Sequence, residues 1–215
     1  LPDIGDLDRY TRAGAVRMVG SDGRMFASFG PMHGDPLTVP ELPKHLIQAV
    51  IATEDRRFYE HPGVDPIGLA RAAWTNLAAG RVVQGGSTLT QQLAKNVFSN
   101  ADRSFERKIQ ELLLAFWLEH NFTKDEILSI YLNRVYFGAG AYGVDAAARK
   151  YFGIPATRLG LMESALLAGM LKAPSRYNPA VAPDRAGLRT SIVLANMVDA
   201  GFIDAATARA AAARP

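Results

Sequence analysis

The chain has 215 residues, 48% of them apolar, a formal net charge of +3 and no cysteine. Its length and apolar content suit one domain with a real core. The charge permits a mildly cationic surface facing anionic lipid or phosphate and gives no sign of nucleic-acid binding, while the lack of cysteine excludes disulfides, thiolate catalysis and Cys-ligated zinc.

Between residues 9 and 29, Val16, Met18, Met25 and Phe29 flank Ser21-Asp22-Gly23, the turn chemistry of a short β-hairpin. From Pro40 onward the pattern is helical, with segments predicted at 42–59, 66–79, 87–98, 102–120, 123–135, 142–152, 159–171, 184–200 and 203–213. Local signals punctuate these segments. Asp65-Pro66 supplies an N-cap and a first-turn proline, Gly80 a helix stop, and Thr123 with Glu126 a capping box. The reading is a mainly α domain over 40–215, preceded by an N-terminal linker and β-hairpin region over 1–39. The longest strongly apolar run, 112–118, falls far short of the roughly 20 residues of a bilayer span, and its all-round apolar character predicts a central, buried helix segment. With neither an initiator Met nor a signal-like segment at Leu1, the chain is expected to be a piece of a longer protein.

The first candidate for chemistry is Glu54. In a helix over 42–59, Ile47, Val50, Ile51 and Phe58 share an apolar stripe and Glu54 falls on it, whereas Asp55, Arg56 and Arg57 read as a solvated face. A carboxylate on an apolar stripe is either a base whose pKa burial raises or a structural acid paired with an arginine.

Gln84-Gly85-Gly86-Ser87-Thr88 leads into a helix start, which serves either as a plain turn with Ser87 as N-cap or as a seat for an anion or sugar. Downstream, Gln91 and Lys95 lie on one helical row with Gln92 and Asn96 on the next, a pattern that suits a sugar phosphate or a solvated face. Arg103, Arg107 and Glu111 form another row, with Lys108 beside it. They make either an ordinary ion pair or an electropositive recess for a diphosphate that Glu111 keeps in shape. Gly138, Gly140 and Gly143 point to a folded scaffold loop. His61, before Pro62-Gly63, fixes a turn. Lys172 and Arg176, in the loop 172–179, are as compatible with solvation as with function.

The order of these segments is distinctive. Glu54-Asp55-Arg-Arg-Phe58-Tyr-Glu-His61-Pro-Gly63 precedes Gly85-Gly86-Ser87-Thr88-Leu-Thr-Gln91-Gln92-Leu-Ala-Lys95-Asn96 and Arg107-Lys108-Ile-Gln-Glu111. Tyr131-Leu-Asn133 with its glycine loop follows, then Ala165-Leu-Leu-Ala-Gly169-Met-Leu-Lys172-Ala-Pro174-Ser-Arg-Tyr177-Asn178-Pro179. Over about 40–179 the chain resembles the peptidoglycan glycosyltransferases of class A penicillin-binding proteins and monofunctional transglycosylases. The resemblance implies a lysozyme-like fold of two helical lobes, with a small membrane-proximal lobe at about 63–83. It implies Glu54 as general base and Glu111 as the second glutamate. Asp55, Ser87, Gln91, Gln92 and Asn96 would be polar groups of the cleft, and Lys95, Arg103, Arg107 and Lys108 the cations near a donor diphosphate.

The implied reaction polymerises lipid II into β-1,4-linked glycan with inversion and release of undecaprenyl diphosphate, at the extracytoplasmic face of the cytoplasmic membrane. The partners implied are lipid II, the growing glycan chain, the membrane surface and proteins of wall-synthesis complexes, with no nucleic acid. Mg2+ or Mn2+ would enter only with the substrate diphosphate, since no ligand cluster announces a protein-built metal site. The rivals are a glycan-cleaving enzyme of the lytic transglycosylase or lysozyme type and a non-catalytic wall scaffold. Neither Ser-x-x-Lys nor Lys-Thr-Gly occurs, so a penicillin-binding transpeptidase site is not among these residues.

Overall fold

The structure, a computed structural model, describes residues 16–19, 25–29, 32–81, 85–97 and 105–213. The hairpin turn Ser21-Asp22-Gly23 and the candidate cation Arg103 lie outside these residues. Among the described residues are nine α-helices: α1 (Lys44–Glu54), α2 (Pro66–Ala79), α3 (Leu89–Val97), α4 (Phe105–Asn121), α5 (Lys124–Arg134), α6 (Val144–Phe152), α7 (Leu161–Met170), α8 (Pro183–Asp199) and α9 (Ala205–Ala212). The strands are short: β1 (Val16–Val19), β2 (Met25–Phe29), β3 (Met32–His33) and β4 (Ala141–Tyr142). The mainly helical class read from the sequence is the class observed.

α1, α7 and α8 pack on one another, with α9 against α8, while α3 packs against α4 and α5. A continuous apolar core joins them through residues such as Leu46, Val50, Phe58, Leu93, Leu114, Tyr131, Leu167 and Val193. Helix ends follow local chemistry where that chemistry is strong. α2 starts at Pro66 and stops at Gly80 in the left-handed region, φ 62°. α5 starts at the expected capping box, with Thr123 N–H donating to Glu126 at 2.8 Å and Glu126 N–H to the Thr123 hydroxyl at 3.3 Å. At α2 the cap position is right and the side-chain cap bond is not, because the Asp65 carboxylate accepts from Arg57 at 3.0 Å while only its backbone carbonyl accepts from the helix, from Leu69 N–H at 2.9 Å.

Several expectations are corrected. The helix predicted over 42–59 ends at Glu54, and Asp55 leaves it with non-helical backbone, φ −159° and ψ 78°. Phe58 is fully buried, but it reaches the core from a turn, not from the stripe of α1. The run 112–118 is not buried all round. Leu114, Ala115 and Leu118 face the core while Leu113 and Phe116 are about half exposed, as is Ile109 one turn before.

The hairpin is present, β1 pairing antiparallel with β2 from Val16 opposite Phe29 to Val19 opposite Met25. A second pairing, β3 parallel to β4, was not foreseen. It belongs to a segment that the boundary at 39/40 assigns to the linker region, yet this segment is bonded into the helical body. Leu37 donates its N–H to Asn133 Oδ1 at 3.0 Å and accepts from Asn133 Nδ2 at 2.7 Å. Asp35 N–H reaches the buried Asp145 at 3.0 Å. Asn133 can take this position because Gly143, at φ 85°, lies against its carbonyl, where a Cβ would come within 2.6 Å of the oxygen.

Candidate active site

Glu54 is the last residue of α1, and its side chain is only 13% exposed. Oε2 accepts a hydrogen bond from Gln92 Nε2 at 3.1 Å, and Gln92 Oε1 in turn accepts from the Tyr131 hydroxyl at 3.0 Å. Oε1 lies 3.8 Å from Arg189 Nη2, close enough for charge attraction and too long for a hydrogen bond. Burial pushes the Glu54 carboxyl above the ordinary glutamate range, against the opposing pull of the Gln92 hydrogen bond and the Arg189 and Lys172 charges. The Tyr131 phenol is driven well above its usual value by burial and by Glu54, so it stays a proton donor to Gln92. The result is a carboxyl with one oxygen hydrogen-bonded and its proton affinity raised by burial, the direction a general base needs.

Asp55 is not a solvated neighbour. It is buried, accepts the Leu89 N–H at the first turn of α3 at 2.9 Å, and accepts from His61 Nε2 at 3.0 Å. His61 Nδ1 accepts from Gly63 N–H at 3.2 Å, which leaves its proton on Nε2 facing Asp55. His61 therefore fixes the turn, as its sequence context indicates. The helix cap is Thr88, not Ser87: Thr88 Oγ1 accepts from Gln91 N–H, and Gln91 Oε1 accepts from Thr88 N–H, each at 3.2 Å. The anion at this helix start is thus the protein's own Asp55, and Gln91 is buried in the cap. Ser87 and Lys95 are exposed and Asn96 is half-buried along the same helix.

On α4, Glu111 is 2% exposed and holds two cations, Arg107 at 3.2 Å and Lys108 at 3.3 Å. Lys108 keeps more than half of its side chain in solvent, so the cluster presents charge outward from a buried carboxylate. The structure thus joins Glu54 to Gln92, ties Asp55 and Gln91 to the start of α3, and gathers Arg107, Lys108 and Glu111. Among the described residues, the ion pair of Glu54 is with Arg189. Among the described residues no group of three or more His, Asp or Glu is placed to hold a metal ion.

Sequence reasoning missed Arg189 and the Tyr131 hydroxyl. Arg189 sits next to Thr190 on the α8 face that buries Ala186, Val193 and Met197. A charged residue beside an apolar stripe is the signal that singled out Glu54, and it applies equally here. Lys172, exposed just after α7, acts electrostatically on Glu54.

Residues 22–198 match the family model described as Transglycosylase. The chain belongs to the transglycosylase family. This transglycosylase domain is 47% identical over 203 residues to penicillin-binding protein 1A of Aquifex aeolicus, covering 94% of this chain and 28% of that protein. It is 46% identical to penicillin-binding protein 1A of Escherichia coli, with 94% and 24% covered. A solved penicillin-binding protein 1A from Haemophilus influenzae aligns with a TM-score of 0.56 at 25% identity, over 94% of this chain and 20% of that one. The chain therefore spans about a quarter of the length of the relatives it matches. The family match and these relatives make it a peptidoglycan glycosyltransferase domain.

Proposed function

We propose that this transglycosylase domain polymerises lipid II at the outer face of the cytoplasmic membrane, with Glu54 as general base. The observation that carries the reading is the Glu54 carboxylate, nearly dry, anchored through Oε2 by Gln92 and with Arg189 3.8 Å from Oε1, beyond hydrogen-bond reach. Oε1 takes the proton of the acceptor sugar's 4-hydroxyl as that oxygen attacks C1 of the donor. The new C1–O bond forms as the bond to undecaprenyl diphosphate breaks, and attack from the opposite face turns α into β. Inverting glycosidases activate water in the same geometry, with a sugar hydroxyl here in its place.

A diphosphate already carries its charge on leaving, so cations assist its departure better than an acid does. Lys95, Arg107, Lys108 and Arg103 take that role, with Glu111 holding Arg107 and Lys108. Ser87, Gln92 and Asn96 line the sugar path, while Asp55 and Gln91 act by fixing the start of α3. Mg2+ or Mn2+ enters only as a companion of the substrate diphosphate, and no step depends on it. α2 buries only Ala72 and exposes Leu69 and, on another side of the helix, Ile67, Trp74 and Leu77 within one face, which supports docking of that face on a membrane surface. No helix among the described residues is long and apolar enough to cross a membrane.

The test is to incubate the domain separately with lipid-linked precursor and with purified wall. Polymer from the precursor and no soluble fragments from the wall is the expected result; fragments without polymer would reject synthesis.

A further inference from the structure

Arg189 has a built seat beside Glu54. Its Nε donates to the Gly169 carbonyl of α7 at 3.3 Å, and its guanidinium lies 5.9 Å from the centre of the Tyr177 ring. Gly169 makes the approach possible, since a Cβ there would come within 3.0 Å of Arg189 Cγ. The side chain is 11% exposed, so its charge acts on Glu54 through little water. The other groups that act on Glu54 are Gln92 from α3, Lys172 after α7 and Asp55 next in the chain, with Tyr131 of α5 reaching it through Gln92.

A bonded arginine would take one of the Oε1 lone pairs and compete with the acceptor hydroxyl for that oxygen. At 3.8 Å the attraction remains and Arg189 does not hydrogen-bond to Oε1. The seat explains how this distance is kept, because the Gly169 carbonyl and the Tyr177 ring hold the guanidinium short of closing on the carboxylate.

We propose that Arg189 is a positioning residue that keeps Glu54 charged and ready to accept a proton, held at a distance by Gly169 and Tyr177. This rests on the assignment of Glu54 as base, but its direct effect on the carboxylate is measurable without turnover. The measurement is a carbon-13 NMR titration of the Glu54 side-chain carboxyl in this chain, comparing wild type with Arg189→Met and Arg189→Lys.

Loss of an adjacent arginine raises a carboxyl midpoint by about one to three pH units, so Arg189→Met is expected to shift Glu54 upward by at least about one unit. Arg189→Lys restores most of that shift. The acid limb of the polymerisation rate moves up by the same amount in Arg189→Met, with KM for lipid II unchanged and activity recovering as pH rises. If Arg189→Met does not fold, Arg189→Gln, which keeps an N–H for the Gly169 carbonyl, takes its place. An unmoved Glu54 midpoint in a natively melting variant overturns the proposal, as does a rate loss equal at every pH. Normal synthesis by Glu54→Gln would instead overturn the base assignment and leave the NMR result standing.

Discussion

Replacing Asp55 by Ala removes the acceptor of two buried donors at once. One is the Leu89 N–H at the start of α3, and losing a carboxylate at a helix start costs about 0.5–2 kcal/mol. The other is His61 Nε2–H, left buried and unpaired at a cost of about 1–3 kcal/mol. His61 cannot escape by moving its proton to Nδ1, because that nitrogen accepts from Gly63. The two losses together come to about 1.5–5 kcal/mol, and about 3 kcal/mol in a chain of this size corresponds to a melting point lower by about 6–12 °C. Asp55→Asn keeps an acceptor for Leu89 but turns a second donor toward His61, so it falls between wild type and Ala. Urea unfolding followed by circular dichroism gives the numbers. A loss below about 0.5 kcal/mol for Asp55→Ala, with an effect confined to the KM for lipid II, would show that Asp55 meets the substrate and does not brace α3.

Tyr131→Phe removes the hydroxyl that orients the Gln92 amide toward Glu54; losing one hydrogen bond of about 0.5–1.5 kcal/mol predicts a kcat lower by about 2- to 12-fold, and an unchanged kcat would detach Tyr131 from the site. Asp145 is opposed by burial, but its bonds to Arg149 and to the Ala156 and Asp35 N–H groups hold its carboxyl below the ordinary aspartate range. A depressed folded pKa gives stability that is present above about pH 4, the unfolded value, and lost as pH falls through the folded one. Wild type should therefore lose stability faster than Asp145→Asn on acidification below about pH 4, and parallel acid-unfolding curves would contradict this. Glutamates at Trp74 and Leu77 should abolish sedimentation with phosphatidylglycerol vesicles without lowering the melting point, since both side chains are more than 70% exposed; retained binding would move the membrane contact elsewhere.

The sequence shows most where the causes are local. Pro66 and Gly80 bound α2 to the residue, and the Thr123–Glu126 box marks the start of α5, because each signal acts within one turn of chain. Glu54 stands out because an apolar stripe denies a carboxylate its water, so a charge placed there needs either a partner or a task. What was hidden depends on distant partners. The end of α1 at Glu54 accompanies a bond from Asp55 to an N–H 34 residues on, so periodicity carried the helix through to Phe58 and put Asp55 on the wrong face. The β3–β4 pairing involves two residues on each strand, too few for any alternation to register. The outward face of α4 reads as core because Ile109, Leu113 and Phe116 are as apolar as Leu114 and Leu118, and only the packing distinguishes them. Arg189 was within reach of the rule that found Glu54.

Polymerisation of lipid II by Glu54→Gln tests the proposed chemistry most directly. Glutamine keeps the shape of the side chain and an oxygen for Gln92, and cannot take the proton. General-base assistance is worth roughly 100- to 10,000-fold, so glycan synthesis should fall by that factor while the melting point holds or rises. Synthesis within a few-fold of wild type would mean that another group accepts the proton.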